Sequence, residues 1–96
     1  MTGIQARVVA YHEARFPLCE PWEVALKSMA ELGEVAEAMQ LKGPRGDAVE
    51  EAADVTITLM ALTGRFYGAD LLDAVERKLA ILTTPGAHRG SLGGTR

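Results

Sequence analysis

Cysteine is nearly absent from this chain. Cys19 alone cannot close an internal disulfide, and without a CxxC or CxxH pair there is no zinc signature. A reducing compartment is therefore expected. A basic excess is missing as well: ten Lys and Arg stand against thirteen Asp and Glu, for a net charge of −3. With no basic stripe to follow a nucleic-acid backbone, duplex binding is not expected. No run approaches the roughly 20 apolar residues of a membrane span. The N-terminal MTGIQARVVAYHEARFP carries His12, Glu13 and Arg15 where a signal peptide needs uninterrupted apolar residues. Together these absences predict a soluble cytoplasmic protein without a membrane partner.

A chain of 96 residues is one domain at most. At that size only about 60 to 65% of the unfolded surface is buried on folding, so the core is small and a partner subunit would help. Pro17 and Pro21 bracket FPLCEP, which predicts a first helix ending near Arg15 and a second with Pro21 in its first turn. The second helix, PWEVALKSMAELGEVAEAMQLK, stops at Gly43-Pro44, a glycine past the helix end followed by a proline that cannot continue it. Asp47 followed by Glu50 is a capping-box variant that opens a third helix running to Gly68. Asp70 with Asp73 opens a fourth, which Pro85 closes. The β-branched VTIT has strand character, but its caps, length and flanking alanines favour helix. The expectation is an all-α, four-helix domain over 1–84 and a flexible glycine-rich tail over 85–96.

With about 100° per residue, the second helix groups Trp22, Leu26, Met29, Gly33 and Ala36 on one side and Glu23, Lys27, Glu31 and Glu34 on the other. Taken alone it is an ordinary amphipathic helix with a solvated acidic face. The third helix is different. Asp47, Glu50, Glu51, Asp54, Thr58 and Arg65 fall in a wedge of about 100°, and almost everything else on it is apolar. Such a helix is buried around most of its circumference, more than three short neighbours can cover. A homo-oligomer with this helix near its centre is expected, either a dimer or a tetramer.

Unpaired carboxylates on a mostly buried helix are costly. Glu50 has a capping role available, but Glu51 and Asp54, one turn further in, do not. Arg65 lies about 16 Å along the axis from Asp54 and cannot pair with it. Two helices presenting Glu31-Leu-Gly-Glu34 and Glu51-Ala-Ala-Asp54 could converge across a bundle groove into an all-oxygen cage. That donor set suits Mg²⁺, or Mn²⁺, sharing its shell with substrate phosphates. No ExxH accompanies it, so zinc and di-iron fit less well.

At these residues the chain resembles the MazG-like all-α nucleoside triphosphate pyrophosphohydrolases, in their short single-domain branch. The likeness rests on ExxE, sixteen intervening residues and ExxD, within KSMAELGEVAEAMQLKG and VEEAADVTITLMALTGRFYGADLLDAVERKL. It implies a MazG-like bundle completed by homo-oligomerisation, and hydrolysis of a nucleoside triphosphate between its α- and β-phosphates. It also implies Mg²⁺ held by Glu31, Glu34, Glu51 and Asp54, with Glu34 as base. Lys78 on the last helix would act on the phosphates. Thr58 stands where many relatives carry tyrosine, and Leu82 where they commonly carry asparagine.

The remaining substrate-binding candidates each have a structural alternative. Lys27 reads first as an ion-pair partner of Glu31 or Glu23, and otherwise as a phosphate contact. Trp22 reads first as a core anchor and otherwise as a stacking surface for a base. His12, with Tyr11 and Phe16 in YHEARFP, lies where relatives build the base pocket, although a lone histidine is more often structural. Met29, Met39 and Met60 read as core. His88 and Arg89 in the tail could fold over a bound triphosphate. A non-enzymatic helical assembly module and a phosphoribosyl-ATP pyrophosphohydrolase are the competing functions.

Overall fold

A computed structural model of the chain describes residues 1, 3–41 and 46–86. The Gly43-Pro44 stop and the tail residues His88 and Arg89 lie outside them. The described residues form four helices and no strand: α1 (Gly3–Arg15), α2 (Pro21–Leu41), α3 (Gly46–Tyr67) and α4 (Leu71–Leu82). None is long and apolar enough to cross a membrane.

The helix ends follow from local chemistry. At the start of α2, Pro21 takes the first position, where a missing N–H costs nothing, and the Glu23 carboxylate reaches back to the Glu20 N–H at 2.7 Å. At α4, Asp70 is extended (φ −86°, ψ 117°) and accepts from the Asp73 N–H at 3.0 Å, the expected cap. Gly68 ends α3 at φ +62°, in the left-handed region that glycine enters without strain. The Asp47–Glu50 capping box is not formed. The helix already begins at Gly46, and neither side chain makes a hydrogen bond. A cap must stand at the boundary; one position inside it, Asp47 acts only through its charge on the first turn.

α3 is the centre against which α1 and α2 pack, whereas α4 touches it lightly and buries no residue. α2 runs antiparallel to α3. The stripe it turns toward α3 is Val24, Ser28, Glu31, Val35 and Ala38, at helical spacing, with all but the half-buried Val35 buried. The expected apolar side points away instead: Trp22 is 62% exposed, Leu26 55% and Met29 69%. Met39 is also exposed, and only Met60 of the three methionines is core. Trp22 is therefore no core anchor in this chain. The inversion has a steric reason. Small Ser28 and Ala38 let the backbones approach, and Glu31 finds a partner on α3, whereas tryptophan and methionine would hold the helices apart.

α1 is fixed by polar contacts. Gln5, with no exposed surface, donates through Nε2 to the carbonyls of Met60 and Ala69 and to the Thr63 hydroxyl at 3.0 to 3.1 Å. Its Oε1 accepts from the Leu71 N–H at 2.7 Å. One amide thus ties α1 to α3 and to the first residue of α4. Gly64 makes the approach possible, because a Cβ there would stand 2.6 Å from Val9 Cγ2 and 3.0 Å from Gln5 Nε2.

Gln5→Leu is expected to lower unfolding free energy by about 2 to 4 kcal/mol, since it leaves the Leu71 N–H and buried carbonyls without partners. Urea denaturation measures this, and a loss under about 1 kcal/mol would show that apolar packing, not this amide, holds α1.

Candidate functional site

The antiparallel pairing brings the two acidic motifs face to face in inverse order. Glu31 lies across from Thr58, whose Oγ1 donates to Glu31 Oε1 at 2.6 Å. Both side chains are nine-tenths buried. The same hydroxyl lies 3.0 Å from the Asp54 carbonyl, but it has a single proton, and the shorter contact to the charged carboxylate is the stronger one. Thr58, at the position that departs from the resemblance, is thus the partner of the buried glutamate.

One turn along α2, about 4.5 Å of axial rise, Glu34 meets Glu51. Glu51 is half-buried, and partial burial raises its pKa above the ordinary carboxyl value, followed by the charges of Glu34 and Asp54. A hydrogen bond with Glu34, which Glu51 can donate only as the protonated acid, and the charge of Asp47 act in the same direction. Two carboxyls set against each other, with Asp54 and Asp47 nearby, are a local excess of negative charge. A hard divalent cation matches that donor chemistry. Even so, among the described residues no three His, Cys, Asp or Glu side chains converge on one point as a metal cluster. The four acids stand as a Glu34–Glu51 pair beside Glu31 and Asp54.

Glu31, Asp54 and Thr58 form one wall of an open groove of about 1240 Å³ between α1, α2 and α3. Arg7 and Arg15 of α1 and Lys27 of α2 line it as well. The expected ion pair of Lys27 with Glu31 or Glu23 is absent: Glu31 is held by Thr58 and Glu23 by the Glu20 N–H. Lys27 is left exposed in the groove. Tyr11, His12 and Phe16 give the groove an aromatic side.

His12 is 8% exposed, and its Nδ1 lies 2.9 Å from Arg65 Nη1. Burial, then the Arg65 charge, lowers its pKa, with Glu13 acting weakly the other way. Trp22 lies on the exposed apolar face of α2 and outside the groove lining, as does Lys78, exposed on α4. Within one chain, therefore, His12, Lys27, Glu31 and Asp54 share the groove while Trp22 and Lys78 do not. Arg7 and Arg15 were legible in principle: with Tyr11 they recur at i, i+4 and i+8 on one stripe of α1. Comparison of the chain with protein-family models, curated proteins and solved structures finds no match.

Two substitutions check this electrostatic picture. A carboxyl with a raised pKa favours folding most below its ordinary value, and the advantage is lost as pH rises through the raised one. Glu51→Gln is therefore expected to raise the melting temperature at pH 7 in divalent-free buffer, with the gain vanishing near pH 4; a fall at pH 7 would mean a structural role for the acid. Thr58→Val should cost about 1.5 to 3 kcal/mol by removing a hydrogen bond to a buried charge. Thr58→Ser, assayed by the same denaturation, should restore most of it.

Proposed function

We propose that the chain is a Mg²⁺-dependent nucleoside triphosphate pyrophosphohydrolase, acting on nucleotide pools in the cytoplasm as a homo-oligomer of MazG-like bundles. The observation that carries the reading is one groove with three acids in its lining, Glu23, Glu31 and Asp54, the Glu34–Glu51 pair beside them, unpaired Lys27 and Arg7, and an aromatic side. A nucleoside triphosphate has the matching parts: a polyanion, phosphate oxygens that bind a hard cation, and a flat base.

In this reading Glu31, Glu34, Glu51 and Asp54 would hold the cation, which when bound would supply neutralisation of phosphate charge and a more acidic water. Lys27 and Arg7 bind phosphate oxygens and orient the chain of phosphates along the groove. Glu34 takes the proton of the attacking water. The water oxygen bonds to the α-phosphorus, the bond to the bridging oxygen breaks, and pyrophosphate leaves from the nucleoside monophosphate. Thr58 keeps Glu31 in place by holding one of its oxygens. Lys78, remote from the groove in its own chain, reaches a site only if a second copy supplies it.

The oligomer is supported by the inverted face of α2. Trp22, Leu26, Met29, Leu32 and Met39 are all more than half exposed, and an apolar stripe of that length is characteristic of an interface.

Purified protein is expected to release monophosphate and pyrophosphate from at least one member of a panel of NTPs, dNTPs and phosphoribosyl-ATP with Mg²⁺. Glu31→Gln should reduce turnover by about 10²-fold or more, the scale of losing one charged group at the reacting centre. Absence of release from every substrate, with the oligomer intact, would favour the non-enzymatic assembly. Met29→Glu should shift the sedimenting species to the monomer; an unchanged oligomer would place the interface elsewhere.

A further inference from the structure

A guanidinium can only donate hydrogen bonds. The 2.9 Å contact between Arg65 Nη1 and His12 Nδ1 therefore requires an unprotonated Nδ1 that accepts, which places the ring proton of a neutral imidazole on Nε2. Nε2 has no hydrogen-bond partner, while no buried side-chain nitrogen or oxygen among the described residues lacks one. Nε2 must then reach the surface of a residue otherwise nine-tenths buried, and the surface that His12 lines is the groove. Arg65 is itself anchored: Nη1 also donates to the Phe16 carbonyl at 2.8 Å, and Nη2 to that of Pro17 at 2.9 Å. It cannot turn away from His12 without releasing the end of α1.

We propose that Arg65 is a positioning residue that holds His12 as the neutral Nε2–H tautomer, so that His12 meets a groove ligand as a hydrogen-bond donor only. The ligand it selects offers an acceptor, a ring nitrogen or carbonyl oxygen, on a flat heteroaromatic group that packs beside Phe16, whose ring centroid lies 5.0 Å from that of His12. This ligand class rests on the nucleotide reading of the groove, whereas the tautomer does not.

Charge supports the same state. Arg65 from α3 opposes protonation of His12, Glu13 on α1 favours it weakly, and burial outweighs both. The other charged groups that line the groove are Arg7 and Arg15 on α1, Glu23, Lys27 and Glu31 on α2, and Asp54 on α3. Protonation converts Nδ1 to a donor and forces it off Arg65. The depressed pKa means that the unfolded chain takes up the proton first, so the stability contributed by this contact is present above about pH 6.5 and falls as pH drops below it.

The test is imidazole ¹⁵N NMR of the full chain, which separates the two tautomers and the imidazolium. At pH 7.5 the wild type is expected to show His12 with a protonated Nε2 and an unprotonated Nδ1, and a titration midpoint below 6.5. Arg65→Met should give a mixture of tautomers and a higher midpoint, and Arg65→Gln, which keeps an amide donor, should restore part of the Nε2–H population. A wild-type spectrum showing Nδ1–H or averaged tautomers overturns the proposal whether or not either variant folds. For the ligand class, the four α,β-imido deoxynucleoside triphosphates are compared with ribose 5-triphosphate in EDTA. Movement of the His12 Nε2 resonance by a base-bearing probe and not by the sugar triphosphate supports it; equal movement, or none, overturns it. Because neither measurement uses turnover, a locked tautomer in a protein that hydrolyses nothing would sink the enzymatic reading and leave the assignment of Arg65 intact.

Discussion

The groove exists because α1 is held against α3 by hydrogen bonds instead of by a broad apolar contact. Gln5 grips one end, with bonds to the end of α3 and the start of α4. Arg65 grips the other, with bonds to His12, Phe16 and Pro17. Directional bonds at two points leave a gap between them that apolar packing would have closed. Val8, Tyr11 and Ile57 line that gap without filling it. Gly64 sets the depth, since any side chain there would push α1 outward.

The second constraint is the inverted amphipathicity of α2. An isolated helix of this composition would be expected to bury Trp22, Leu26 and Met29 and to leave its glutamates in water. Here Glu31 points inward, while Glu23, Glu34 and Glu37 stay exposed and the large apolar side chains point outward, an arrangement costly for a lone chain on both counts. The cost at Glu31 is offset locally, because Thr58 donates to it, whereas partial burial and the repulsion between Glu34 and Glu51 hold the Glu51 pKa above its ordinary value. What remains is an electrostatic strain that a divalent cation would relieve and an apolar stripe that another protein surface would cover. The small apolar core points the same way, with Val24, Ala38, Met60 and Ala61 its buried hydrophobic members among the described residues.

Glu31 and Asp54 line the groove, and the exposed cations Lys27 and Arg7 lie within the same cavity without pairing with them. In the proposed function, acids and exposed cations lining one groove would serve a polyanion bound through a metal ion.

By itself the sequence determined the four helices and the boundaries set by Pro21, Asp70 and Gly68, because each depends on residues within one or two turns of one another. The antiparallel order that sets Glu34 against Glu51 followed from a short connection. Only the tertiary structure decided which side of α2 faces inward. Helical periodicity fixes the angle between two faces of a helix but not which one a neighbour occupies, and the choice turned on Ser28 and Ala38 allowing close approach and on Thr58 meeting Glu31. The pairing of Arg65 with His12 was equally out of reach, since it depends on side chains 53 residues apart in sequence meeting across a groove whose width is set by Gln5 and Gly64.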